Sequence, residues 1–290
     1  MKLRDLLLRV HLSKGIGIKG RYLAYRFLLT QPFLSKVTAK TIIQAGIIAP
    51  KYQAVFERSF NRLLTDQQLI NRLVDNEQWV CICDNDYPVR LKESYLPPII
   101  VFYRGNWQLV HKTTLAIVGS RKASLYSVHA LNKLLTPICC RQLVVVSGLA
   151  KGGADTLAHT RAIQQRGKTI AVIGTGMDIC YPISNQKLQR YIAANHLLIS
   201  EYPNGTRGYR SHYPERNRII SGLVETILVT EAAQRSGSLI TANLALQNNR
   251  NVLALPGPIT SALSVGTNEL IAAGAKPVLN TQDLLEEFVS

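Results

Sequence analysis

Apolar positions in the first 75 residues recur at helical spacing, as Leu3, Leu6, Leu7 and Val10, and again as Tyr22, Leu23, Phe27 and Leu28. The spacing predicts a small all-α domain over residues 1–75. From Trp79 onward the pattern changes to short apolar runs rich in β-branched residues and bounded by Gly, Pro and Asn. Runs at 79–83, 98–103, 115–118, 143–147, 169–173, 197–199, 226–230 and 251–255 predict strands. Helical patterns start near 155 and 185, run through Ile240 and Leu246, and recur near 267–273, before a last short strand and helix. Strands that alternate with helices and lack polar faces require a sheet covered on both sides. The second domain, residues 76–290, is therefore expected to be α/β, an extended Rossmann-like, doubly wound, mostly parallel sheet.

Composition narrows the setting. No apolar run approaches the roughly 20 residues needed to span a bilayer. Lys2, Arg4, Asp5, Arg9 and His11 interrupt the leucines of the N-terminus, which argues against a signal peptide. The five cysteines, at 81, 83, 139, 140 and 180, are odd in number and contain no CxxC pair, as expected of reduced thiols in a cytoplasmic protein. Charge says most. The 34 Lys and Arg against 18 Asp and Glu leave a net charge of +16, and residues 1–75 alone hold 13 basic and 4 acidic side chains. A polyanionic partner is the natural reading, with a basic surface that serves only solubility as its alternative.

In open parallel sheets ligands bind beyond the carboxyl ends of the strands. Those ends read Gly119-Ser120-Arg121, Ser147-Gly148-Leu149-Ala150-Lys151-Gly152-Gly153, Gly174-Thr175-Gly176, Glu201, Glu231 with Ser236-Gly237-Ser238, and Pro256-Gly257. Small and hydroxyl-bearing residues let backbone amides approach a phosphate or a base, although each glycine singly also suits a tight turn. After Val118 the chain is expected to turn directly into a helix, with free N–H groups beside Arg121. Residues 207–218 interleave cations with aromatics, Arg210, Tyr213, Arg216, Asn217 and Arg218 among them, which suits phosphates and unstacked bases; a solvated loop with internal Arg–Glu pairs is the plainer reading. Lys14-Gly15-Ile16-Gly17-Ile18-Lys19-Gly20 matches either the hairpin of small helical DNA-binding modules or a turn between two helices.

Other chemistry is poorly supported. Gly174-Thr175-Gly176 lacks the third glycine of a dinucleotide fingerprint. Asp155 and His159 share a helical face, but no nucleophile elbow accompanies them, so a capping Asp155 and a satisfied His159 are expected. Cys81 and Cys83 have no distal metal-binding pair. No cofactor and no metal are expected.

Together these motifs resemble the DNA-processing protein A (DprA/Smf) family. The resemblance is carried by Tyr87-Pro88, Pro97-Pro98, Phe102-Tyr103-Arg104-Gly105, Ala116 to Arg121, Ser147-Gly148-Leu149-Ala150, Asp155, Ala158-His159, Thr169 to Gly176, Tyr181-Pro182, Ser200-Glu201-Tyr202-Pro203, Arg216 to Ile220, Ser236 to Ala242 and Pro256-Gly257. It implies a non-catalytic, dimeric, single-stranded-DNA-binding protein that protects incoming DNA and helps load the RecA recombinase in natural transformation. Arg121 would hold a phosphate, and Arg210, Tyr213, Arg216, Asn217 and Arg218 would line the strand's path. Gly119, Ser120, Ser147, Gly148, Lys151, Gly174, Gly176, Ser236 and Gly237 would complete the site, and Asn268, Glu269, Leu270 and Ile271 would make dimer contacts. The N-terminal helices resemble the family's SAM-like accessory domain. The sequence departs from the family in a loop one residue longer at Lys151–Asp155, in Ile183 where some members carry Lys, in Tyr213 for Phe, and in Asn249 before Arg250. A Rossmann-like phosphoribohydrolase, partly echoed by Glu231 and Ser236-Gly237-Ser238, and a binding module for a small nucleotide are the alternatives.

Overall fold

The computed structural model describes residues 2–75, 77–150 and 152–288. Five helices come first: α1 (Leu3–Leu12), α2 (Ile18–Leu29), α3 (Ala39–Gln44), α4 (Gln53–Thr65) and α5 (Gln67–Val74). Strands β1 (Gln78–Cys81) and β2 (Ile100–Gly105) follow, with the short α6 (Val89–Lys92) between them. Then come β3 (Thr114–Val118), α7 (Leu125–Leu134), α8 (Pro137–Gln142), β4 (Val144–Ser147), α9 (Ala154–Gln164), β5 (Lys168–Ile173), α10 (Gln186–Asn195) and β6 (Leu197–Ser200). The chain continues through α11 (His212–Leu223), β7 (Thr226–Val229), α12 (Gly237–Gln247), β8 (Asn251–Ala254), α13 (Val265–Ala272), β9 (Lys276–Pro277) and α14 (Thr281–Leu285).

The nine strands form one sheet in the order β1-β2-β6-β5-β4-β3-β7-β8-β9. Strands β3 to β9 pair in parallel, while β1 with β2 and β2 with β6 are antiparallel. The fold is α/β with a mostly parallel sheet and an N-terminal helical region. Strand β3 shows why its sequence works. All five residues are buried, and they alternate between the two faces. Leu115 and Ile117 pack with Leu131, Cys139 and Ala158, whereas Ala116 and Val118 join the core that holds Ile219, Ile220 and Ala242.

The N-terminal helices share that second core, because Leu6, Leu7, Val10, Phe56 and Phe60 pack continuously with Val80, Phe102 and Ile199. Polar contacts add to it: Arg4 Nε lies 3.0 Å from Asp84 Oδ2, His11 Nε2 lies 2.8 Å from the Glu201 carbonyl, and Asn204 N donates to the Leu73 carbonyl at 3.2 Å. The change from helices to strands falls between Val74 and Gln78. At the other end of the chain Asn249 ends α12 at φ +55°, a left-handed conformation that Asn tolerates better than most residues.

Candidate functional site

Strand β3 is where the winding of the sheet reverses: the chain builds outward through β4, β5 and β6 on one side, then crosses to β7 on the other. A crevice opens outside the strand ends at such a point. Here it is a cavity of about 420 Å³, bounded by the end of β3 (Gly119, Ser120, Arg121), the start of α12 (Ser236, Gly237, Ser238) and α11 (Tyr213, Arg216, Asn217). A second cavity of about 320 Å³ adjoins it and shares Arg121, Ala150, Tyr213 and Arg216. It extends over Gly174, Thr175 and Tyr181.

The geometry favours an extended anionic ligand. Arg121 is exposed, and its guanidinium stands over the Tyr213 ring at 5.7 Å from the centroid. Tyr181, 57% exposed, places its ring 5.9 Å from that of Tyr213. Arg216 is buried, with Nη1 donating to the Val172 carbonyl at 2.8 Å and Nε unpartnered among the described residues. Burial pushes its pKa down, and the nearby Asp155 carboxylate opposes that. Helix α12 begins at the rim without a side-chain cap, since the Ser236 and Ser238 hydroxyls bond each other at 2.7 Å. Its first N–H groups are thus available to an anion.

The turn after β3 differs from the expectation. No helix starts at Gly119; α7 begins at Leu125 and is capped by Ser124. The buried Glu231 carboxylate accepts from Ser124 N, Ser124 Oγ and Ser127 Oγ. The start of α7 is already satisfied, so anion-binding capacity at this point belongs to Arg121 and α12. Gly119 is required by close approach: a Cβ there would overlap Thr230 Oγ1 and lie 2.8 Å from the Ala154 Cβ.

Of the residues singled out in the sequence, Gly119, Ser120, Arg121, Tyr213, Arg216, Asn217, Ser236 and Gly237 line the first cavity, and Gly174 lines the second. Others stand elsewhere. Arg218 is buried in an ion pair with Glu201 and lines neither cavity. Ser147 is fully buried and donates to the Ile117 carbonyl, so it braces β3 against β4. Gly148 lies beneath Arg216 and Asp155, and Gly176 donates to the Thr206 carbonyl. Arg210 is exposed on the 207–211 loop outside both cavities, and Lys151 lies outside the described residues. Asn268 ties α13 to Gly257 through bonds of 3.2 and 3.0 Å, Glu269 is exposed, and Leu270 and Ile271 are half-buried. Sequence reasoning passed over Tyr181 and Asp155 as site residues. Tyr181 had a usable signal, an aromatic in a turn beside Pro182.

His159 does not face the site. Its Nε2 lies 2.6 Å from the Gly148 carbonyl and its Nδ1 2.6 Å from Thr169 Oγ1, while burial lowers its pKa to about 4. It is a neutral brace between α9 and the sheet. Among the described residues no cluster of three or more His, Cys, Asp or Glu side chains is arranged to hold a metal, and no helix is long and apolar enough to cross a membrane.

Fold and site together define a doubly wound α/β protein with an open, cationic, aromatic-lined crevice at its switch point. A family model described as DNA recombination-mediator protein A matches residues 78–289, and the chain belongs to that family. It is 48% identical to the DNA processing protein DprA of Streptococcus pneumoniae over 207 residues, which cover 71% of this chain and 73% of that one. It is 40% identical to DprA of Bacillus subtilis over 263 residues, 90% and 85% of the two chains. Among solved structures, that of the S. pneumoniae protein superposes over 100% of both chains with a TM-score of 0.88 and 39% identity. DNA processing protein A of Helicobacter pylori, described for its single-stranded DNA binding mode, matches with a TM-score of 0.66 and 28% identity over 73% of this chain and 96% of that one.

Proposed function

We propose that this protein binds single-stranded DNA across the two adjoining cavities, recognising backbone charge and stacking bases with little sequence preference, and passes the strand to the RecA recombinase. The observation that carries the reading is the line Arg121, Tyr213 and Arg216, which both cavities share. A mononucleotide needs one cavity, whereas two joined by cations and aromatic rings suit successive nucleotides. The binding mode described for the H. pylori relative and the net charge of +16 support it.

No catalysis is assigned to the site. Glu231, which partly echoes the acidic motif of a phosphoribohydrolase, is held by Ser124 and Ser127. A homodimer with contacts along α13, at Asn268, Glu269, Leu270 and Ile271, and residence in the cytoplasm complete the proposal.

Gel-shift titration with oligothymidylate tests it. Arg121→Ala is expected to weaken binding and to reduce the slope of log affinity against log salt by about 0.7, one single-strand phosphate contact. Unchanged affinity and slope would refute the assignment of the crevice.

A further inference from the structure

We propose that a second groove, between the α1–α2 hairpin, α4 and the 202–206 loop, is a further phosphate-binding segment of the same DNA path, so that the strand continues from the crevice onto the N-terminal helices. This rests on the single-strand reading above. The groove holds about 930 Å³, more than either crevice cavity.

Its walls carry four cations, Lys14, Arg21, Arg58 and Arg62. Among the described residues only Arg62 has an ion-pair partner, Asp66 at 3.7 Å. The carboxylate on the wall, Glu215, is engaged by the Tyr202 hydroxyl at 2.7 Å. Four cations and a single engaged carboxylate make a positive groove, and such grooves track nucleic-acid backbones. Helix α2 opens on it from Gly17 with no side-chain cap, which leaves its first N–H groups free for a phosphate oxygen.

Two buried groups on the same wall point independently to an occupant. Arg21 Nε is buried and has no partner among the described residues. His11, 1% exposed, lies 2.8 Å through Nε2 from the Glu201 carbonyl, and its Nδ1 has no partner among the described residues. A carbonyl only accepts, so Nε2 carries the proton and Nδ1 is a bare acceptor lacking a donor. The bare Nδ1 of His11 and the Nε–H of Arg21 thus leave one acceptor and one donor on the same wall, which suits a ligand that brings both kinds of group, as a nucleotide does.

The two sites are neighbours. His212 lines the groove, and its Nδ1 lies 3.0 Å from the carbonyl of Gly174, which lines the second crevice cavity. Tyr209 packs edge-on against His212, with ring centroids 5.1 Å apart, and Arg207, Tyr209 and Arg210 are all exposed. The groove thus gives the cations of the 207–211 loop a place on the path, between two binding segments.

The test is oligothymidylate binding by the full chain as a function of oligonucleotide length and salt. Lys14→Gln/Arg58→Gln, two exposed positions, is compared with Arg121→Ala and with a control pair outside the groove, Lys36→Gln/Lys40→Gln, with thermal melting to check folding. The groove variant is expected to bind short oligonucleotides as the wild type does. It should lose the extra affinity of long ones, with the salt slope reduced by about 1.4 for two contacts. Wild-type affinity and slope at every length, or an equal loss in the control pair, would overturn the proposal. If Arg121→Ala binds normally while the groove variant fails on long strands, the crevice reading falls and the groove stands.

Discussion

Gly148 lies directly beneath the guanidinium of Arg216: a Cβ at this position would overlap Arg216 Nη1, Nη2 and Asp155 Oδ2. The backbone of the β4–α9 connection is the floor on which the cation rests. Nη1 donates to the Val172 carbonyl from there, and the side chain cannot retreat because it is buried.

Gly148→Ala should therefore displace Arg216 from Val172 and turn it into the crevice. Overpacking of this kind costs about 1–3 kcal/mol of stability. Affinity for single-stranded DNA should fall about tenfold, the equivalent of about 1.4 kcal/mol. Melting and oligothymidylate titration on the same preparation measure both, and wild-type affinity in a folded variant would show that the position of Arg216 is immaterial.

Arg218 separates stability from binding. It pairs with Glu201 where both side chains are nearly inaccessible, and Glu201 also presents its carbonyl to His11 of α1. Removing one partner of a buried pair strands the other charge and typically costs about 3–5 kcal/mol. Arg218→Ala should lower the unfolding free energy from urea titration by an amount in that range and leave the DNA affinity of the folded fraction unchanged. Lost affinity with unaltered stability would return Arg218 to the DNA path.

Arg216 and Arg218 also show how far the sequence was legible. Both stand in one basic stretch, and composition treats them alike. Two residues advance a helix by about 200°, so one side chain meets the crevice and the other points to the far side of α11. Only the orientation of that helix, set by the apolar packing of Ile219, Ile220 and Leu223, decides which is which. The short β-branched runs gave the parallel strands almost to the residue, because burial on both faces leaves few alternatives. Strand direction was not legible: β1 and β2 carry the same apolar signature as the others, yet they pair antiparallel. The helix start after β3 was misplaced because Gly119 and Ser120 suit a sharp turn, whereas the buried Glu231 that bonds Ser124 at the actual start comes from 107 residues further along the chain.

Acid should weaken the fold through its buried histidines. Burial holds His159 and His196 neutral and lowers each to about 4, and it lowers His11 as well. In the unfolded chain these rings protonate near pH 6.5. Between the two values the unfolded state binds more protons than the folded one, so stability is full above about pH 6.5 and drains away as the pH falls toward 4. For a ring as buried as His159 the shift corresponds to about 3 kcal/mol across that window. Urea midpoints should hold steady from pH 8 to 7 and then decline from pH 6 to 4. His159→Gln, already less stable at pH 7 because it loses the contacts to Gly148 and Thr169, should show a shallower decline. A wild-type midpoint unchanged between pH 7 and 4.5 would mean that the rings are not held neutral in the folded protein.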